Sequence, residues 1–367
     1  MPVSRAAVLE SSPGDLVLRD VVVDDPAPDE VLVRTVAAGV CHSDLHFMRG
    51  VMPHPVPTVL GHEAAGVVEA VGSAVHDLAP GDHVVECLSV FCGRCEFCLS
   101  GRPAICTKAG LGRPAGAPPR LRLDDQPITQ FLHLSSFSEL ALVHRNALVR
   151  IDDRMPLDVA ALLGCGVLTG LGAVFRTAGV RPGETVAVIG CGGVGLSAIH
   201  GAELVSAAKI VAVDTDPAKL ELAKSFGATD VVDASQVDAV EAVRDLTDGG
   251  VHHAFEAVGL ARTTQQAFSM ARRGGTATVV GMMAPGEQVS ISGIELLVEK
   301  RLQGSQIGSN QFITDIPRYV DLYLAGKLRL DSLVSRSTGL DGINDAYRRL
   351  GEGGVARQLI TFGGEPR

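Results

Sequence analysis

The chain has 367 residues, more than one ordinary core needs, so two domains are expected. Its formal net charge of −10, with no long basic run, argues against nucleic acid or an anionic membrane surface as partner. The N-terminal run MPVSRAAVLESSPGD lacks the apolar core of a signal peptide, and no stretch of about 18 uninterrupted apolar residues predicts a membrane span. The expected location is therefore the cytosol, where the eight Cys would stay reduced and clustered Cys read as metal sites.

Residues 5–10, 16–23 and 31–38 are short Val-rich runs separated by Pro, Gly and Asp, and predict antiparallel strands. Residues 66–72 and 82–85 continue the pattern, so the first half reads as a mostly β domain. Between these runs stands the stretch Gly39 to Glu63. Cys41 and His62 offer a soft thiolate and an imidazole, a pair that suits zinc. Ser43, Asp44, His46 and Glu63 lie directly beside them and could orient a ligand or carry a proton.

Cys92, Cys95, Cys98 and Cys106 follow, spaced x2, x2 and x7. Four thiolates at such short reach make a closed tetrahedral site with no open position, hence a structural metal. Buried or disulfide-bonded Cys and an iron–sulfur cluster are the alternatives. Residues 107–137 form a long Gly/Pro/Arg-rich connection ending near Phe131, Leu132 and His133, whose apolar tail could reach a binding cleft. The best third partner for Cys41 and His62 is Cys165, in LLGCGVLTG, with His42 and His54 as competitors. Two Cys and one His would leave the fourth position of a zinc ion open. Cys87 and Cys191 read as small buried apolar residues.

Thr185 to Ile189 is a continuous β-branched strand, followed by Gly190, Cys191, Gly192, Gly193, Val194 and Gly195 and then a helical pattern. Strand before and helix after give G-x-G-x-x-G its dinucleotide-binding meaning. The next strand ends at Asp214, about twenty residues past the glycines, where a carboxylate accepts the ribose hydroxyls of NAD. Further strands near 230–232, 253–257, 276–280 and 302–307 alternate with helices, including Pro217 to Phe226, and predict a doubly wound parallel sheet. The C-terminal part predicts helices over 317–324 and 343–350 and a strand over 358–362, which returns to the first domain.

In this order and spacing, GVCHSDLH, LGHEAAG, the four-Cys lobe, GCGVLTG, GCGGVG and Asp214 make the chain resemble the zinc-dependent medium-chain alcohol dehydrogenases over essentially its whole length. The resemblance implies an α/β fold: a doubly wound Rossmann sheet plus a mostly β, GroES-like catalytic domain. The catalytic domain would be split into residues 1–166, with the zinc lobe at 87–107, and 309–367, around a Rossmann domain at 167–308. It implies that Cys41, His62 and Cys165 hold a catalytic zinc and Cys92, Cys95, Cys98 and Cys106 a structural one. Asp44 would orient the ligand His and Glu63 would stand behind the metal. Ser43 and His46 would relay the proton. Thr169 would lie beside the nicotinamide, Asp214 and Lys219 would meet the adenosine ribose, and Arg357 the pyrophosphate. The reaction so implied is hydride transfer from a primary alcohol to NAD, the metal acting as a Lewis acid. By family position the metal is flanked by Met52, Leu88, Ile105, Leu111, Phe131, Leu132 and Met282, a lining suited to apolar or aromatic alcohols. Members that oxidise glutathione–formaldehyde adducts carry acids between the segments of Cys41 and His62 and an arginine soon after the fourth lobe Cys. This chain has Arg49-Gly-Val-Met-Pro-His-Pro and Gly110 there, which argues against glutathione. A formaldehyde dehydrogenase using another thiol adduct, and a zinc-ribbon binding module acting as a redox sensor, are the competing readings. The long connection and the apolar run 293–298 suggest a symmetric homodimer.

Overall fold

Val and Leu alternating with polar residues in the first 150 positions give strands with one buried face. A computed structural model describes residues 1–108, 110–352 and 356–363. The chain forms two compact units, Met1–Cys165 with the C-terminal segment from Gln311, and Gly166–Asn310.

The first unit holds two sheets of mainly antiparallel pairs. In the larger one the long strand Glu30–Val40 pairs with Glu63–Val71 on one side, and with Leu140–His144 and the C-terminal Arg357–Thr361 on the other. The packed interior between strands includes Val31, Val33, Val68, Val84, Leu111 and Leu148. Two catalytic-stretch residues sit where strands end: Cys41 follows Glu30–Val40, and Glu63 opens Glu63–Val71. The 107–137 connection is more ordered than its composition suggests. Leu121–Leu123 and Gln126–Pro127 form a small hairpin that extends the Leu16–Val23 strand, and Thr129–Gln130 pairs with Thr58–Val59.

The second unit carries a six-stranded sheet whose neighbouring strands are all parallel. Counted in chain order, its strands lie 3-2-1-4-5-6, the doubly wound arrangement with a topological switch beside the first strand. That first strand, Thr185–Ile189, is buried on both faces, as its unbroken apolar sequence requires.

Three elements depart from expectation. A helix, His42–Met48, occupies the stretch read only for its chemistry; Asp44 lies in its first turn and His46 in its last, both favourable to the helix dipole. The helix expected from residue 317 begins at Phe312, because buried Phe312 and Ile316 hold its first turns despite Pro317. The last strand of the parallel sheet stops at Gly304, and residues 307–309 form a 3-10 turn instead. Among the described residues no single helix is long and apolar enough to cross a membrane.

Candidate active site

The strand end at Val40 and the start of the helix at His42 set Cys41 with extended backbone between them. His62 precedes the Glu63–Val71 strand, and Cys165 ends a 3-10 turn. These three converge: their ligand atoms lie within 4.8 Å of one another, and all three residues are buried. Among the described residues the grouping contains neither His42 nor His54. Asp44 Oδ1 accepts from His62 Nδ1 at 3.0 Å, which leaves Nε2 as the ring nitrogen available to a metal. The Gly61 N–H supports the same carboxylate oxygen at 3.3 Å.

The electrostatics of this trio call for a cation. The Cys165 thiol donates to Cys41, so the Cys41 thiol is held well below its usual value and Cys165 well above it. Burial pulls His62 down, but the Asp44 carboxylate and Cys41 outweigh it and lift the ring to about 10. A thiolate, a thiol and a protonated imidazole, buried within 4.8 Å of one another, form a donor set that a divalent ion would free of its remaining protons. Soft sulfur and imidazole donors in a two-to-one ratio fit zinc with one position open.

Behind the trio stands Glu63, fully buried, with its carboxylate against the Arg357 guanidinium. A Cβ at Gly39 would fall on that carboxylate, which is why the strand needs glycine there. The resemblance pointed Arg357 at the pyrophosphate; in the structure it is 6% exposed and paired with Glu63. Ser43 Oγ lies 3.7 Å from Cys41 Sγ, and His46, half-buried on the same helix, has its basicity lowered by burial.

Tyr347, from the C-terminal helix Ile343–Glu352, also lies near this cluster, and no sequence pattern marks it. Its hydroxyl is pushed well above its usual pKa by burial and then by Asp44 and Cys41. Only the fold brings it near them, since 303 positions separate Asp44 from Tyr347 along the chain.

An aromatic wall abuts the trio. The Phe131 ring stands edge-on to His62 at 6.1 Å, to His54 at 5.1 Å and to Phe47 at 4.8 Å between centroids. Of the other lining candidates, Leu88 is half-buried against the packed interior that contains Leu111. Leu111 is 2% exposed and is as much a core residue as a lining one. Met52, Ile105 and Leu132 are half-buried in turns of the first unit. Met282 and Thr169 belong to the second unit.

The four-Cys lobe also assembles, with ligand atoms within 4.8 Å of one another. Cys95 and Cys98 sulfurs are 3.5 Å apart, too far for a disulfide, and all eight Cys are free. Backbone N–H groups of Cys92 and Lys108 donate to Cys106 Sγ at 3.2 and 3.1 Å. N–H groups of Cys98 and Thr107 pull the Cys95 thiol down to about 6, while burial and the neighbouring thiols push Cys98 up to about 12. Four sulfurs so close cannot all ionise without a cation between them.

In the second unit the glycine loop turns at Gly190, and the helix Gly193–Leu204 starts at its end. A Cβ on Gly195 would strike the Gly190 carbonyl, whereas the space beside Gly192 is open. That opening is the cradle a pyrophosphate needs, at a helix N-terminus. Val194 lies in the first turn of the helix. Asp214 accepts from the N–H groups of Cys191, Thr215 and Asp216 at 2.7, 2.8 and 3.0 Å, which fixes the carboxylate beside the loop. Lys219 follows on the helix Pro217–Ser225.

Comparison with known proteins agrees with this geometry. Residues 27–153 match the alcohol dehydrogenase GroES-like domain, and residues 193–324 the zinc-binding dehydrogenase model. The chain is 37% identical to alcohol dehydrogenase class-3 of Zea mays, covering 98% of this chain and 96% of that protein. It is 37% identical to the S-(hydroxymethyl)glutathione dehydrogenase of Haemophilus influenzae, covering 98% of this chain and 97% of that protein. The crystal structure of benzyl alcohol dehydrogenase from Acinetobacter calcoaceticus superposes with a TM-score of 0.94 at 34% identity, over 99% of this chain and all (100%) of that one.

Proposed function

The chain belongs to the zinc-dependent medium-chain alcohol dehydrogenase family, an NAD-dependent group of oxidoreductases, and we propose that this member oxidises apolar and aromatic primary alcohols to aldehydes. The observation that carries the proposal is the Phe131 wall, in which Phe131 packs edge-on against the rings of His62, His54 and Phe47. Burying a substrate tail against such a wall gains about 0.8 kcal/mol per methylene, so efficiency should climb with chain length. Met52 and Met282 are unbranched and adaptable, which favours a broad range.

In this reading each chain holds two zinc ions, one on Cys41, His62 and Cys165, the other on Cys92, Cys95, Cys98 and Cys106. When bound, the first zinc would supply Lewis acidity and NAD would supply a hydride acceptor. Asp44 keeps the His62 proton on Nδ1. Ser43 takes the alcohol proton and His46, kept neutral by burial, passes it outward. Gly190, Gly192, Gly193, Val194 and Gly195 receive the pyrophosphate, Asp214 and Lys219 the ribose, and Thr169 the nicotinamide. Arg357 serves Glu63. The exposed apolar turn Gly293–Val298 pairs two copies into a homodimer.

A second reading is favoured by the relatives named for S-(hydroxymethyl)glutathione: a formaldehyde dehydrogenase acting on a thiol adduct. Against glutathione itself stands the run from Arg49 to Pro55, which carries no acid. An initial-rate panel decides between the two. Ethanol, hexanol, benzyl alcohol and formaldehyde with several thiols would each be offered with NAD. Hexanol and benzyl alcohol should exceed ethanol and every adduct in kcat/KM. A far better thiol adduct defeats the proposal. Leu88→Phe should narrow the range, penalising benzyl alcohol more than ethanol.

A further inference from the structure

One guanidinium ties both ends of the 107–137 connection. Arg120 donates from Nη2 to the Leu111 carbonyl at 2.9 Å, from Nη1 to Gln130 Oε1 at 2.7 Å and from Nε to Glu30 Oε1 at 2.7 Å. Gln130 passes the constraint on, its Nε2 donating to the carbonyls of Leu134 and Leu142 at 3.1 and 2.7 Å. Between those anchors the chain makes the tight turn Phe131–His133, with Leu132 and His133 at φ of 50° and 64°. Neither residue adopts that left-handed backbone readily, so the turn depends on its surroundings to hold it.

Glu30 is the root of the arrangement. It is fully buried and also accepts from Arg113 Nε at 3.0 Å, from Arg113 Nη2 at 2.6 Å and from the Ala27 N–H at 3.0 Å. Arg113 reaches on to Asp24 and to the carbonyls of Pro118 and Asp25. Such a buried cluster is a weak source of stability, because desolvation offsets most of the attraction. What it supplies is direction: a planar guanidinium fixes three acceptors in one geometry. Of the three acceptors on Arg120, Gln130 is the residue before Phe131 of the wall described above, and Leu111 belongs to the packed interior of the same unit.

We propose that Arg120, anchored by Glu30, is a positioning residue for substrate specificity, holding Leu111 and the Phe131 turn in the register that shapes the wall beside Cys41, His62 and Cys165. The inference rests on reading that wall as the substrate side of the site. Among the described residues the hydrogen bonds and ion pair of Arg120 go to Glu30, Gln130 and Leu111 and not to Cys41, His62 or Cys165, so its loss should act on substrate selection and leave metal and cofactor alone.

The test compares wild-type protein with Arg120→Met, Arg120→Lys and Gln130→Met. Zinc content, NADH affinity by fluorescence, and kcat and KM for ethanol, hexanol and benzyl alcohol would be measured. In Arg120→Met, kcat/KM for hexanol and benzyl alcohol should fall about tenfold or more, mainly through KM, and that for ethanol by less than about threefold. Zinc content and NADH affinity should be unchanged. Arg120→Lys should be intermediate, since an ammonium can meet one acceptor but not all three. Gln130→Met leaves the Glu30 cluster intact and should show the same selective loss even if Arg120→Met does not fold. Equal losses for ethanol and hexanol, or no change in their ratio, overturn the positioning role. A flat chain-length series in wild-type protein overturns the reading of the wall and this inference with it.

Discussion

Gly39 has no side chain because Glu63 crosses it to reach Arg357, whose charge in turn lowers the Cys41 thiol. Single atoms matter at this site because each group there is buried and must be paired. Cys165→Ser removes one soft donor from an open three-ligand set. It should lose one of two zinc ions and nearly all activity, with the fold kept, as elemental analysis and circular dichroism would show. Cys95→Ser should lose the other zinc and lower the melting temperature, since a closed structural site contributes to folding. One metal per chain in fresh wild-type protein would contradict both expectations. Asp214 makes a third case. Its carboxylate, held by three N–H groups, would repel a 2′-phosphate, so NAD should be preferred over NADP. Losing its ribose hydrogen bonds would cost about 1–3 kcal/mol, and Asp214→Ala should erase most of the preference in kcat/KM. Comparable efficiency of wild type with both cofactors would refute this use of Asp214.

On the strand His83–Cys87, Glu86 puts a fully buried carboxyl against Ser136. Its Oε2 accepts from Ser136 Oγ at 2.7 Å, its Oε1 has no partner, and burial raises its pKa from 4.5 to about 7. The folded state therefore holds this proton more tightly than the unfolded chain. Stability from the group is complete below about pH 4.5 and is lost as pH rises through about 7, at a cost of up to about 3 kcal/mol. Glu86→Gln cannot ionise and keeps an acceptor for Ser136. Its melting temperature should gain on wild type progressively between pH 5 and 8; parallel curves would mean that Glu86 does not titrate in this range. The same element-level logic explains what the sequence misread. The helix His42–Met48 is only about two turns long, too short for apolar periodicity to mark it in the sequence. The start of the Phe312–Leu324 helix was misjudged because Pro317 is a strong local signal, overridden by two buried apolar contacts.

For the whole molecule, the turn Gly293–Val298 leaves Ile294 69% and Leu297 78% exposed on the second unit. Large apolar side chains clustered in one turn favour a contact with a second copy, and a two-fold dimer is the commonest closed arrangement. Light scattering at micromolar concentration should give twice the chain mass, and Leu297→Glu should halve it while leaving the melting curve cooperative. A wild-type monomer would remove the case for this turn as an interface.

The residue types and their spacing were enough to name the zinc ligands as candidates, the glycine loop, Asp214 and the parallel sheet. Each of these depends on local rules: ligand softness, backbone room at glycine, and strand periodicity. Cys165 needed more, because 103 positions separate it from His62 and its flanking glycines, Gly164 and Gly166, are matched by Gly190 and Gly192 around Cys191. Only the tertiary structure put Tyr347 near Asp44 and Cys41, paired Arg357 with Glu63, and joined Glu30 to Leu111 and Gln130 through Arg120. These are contacts between residues far apart in the chain. They exist because buried charged and polar groups must find partners wherever the sheets bring them, and no local pattern records that choice.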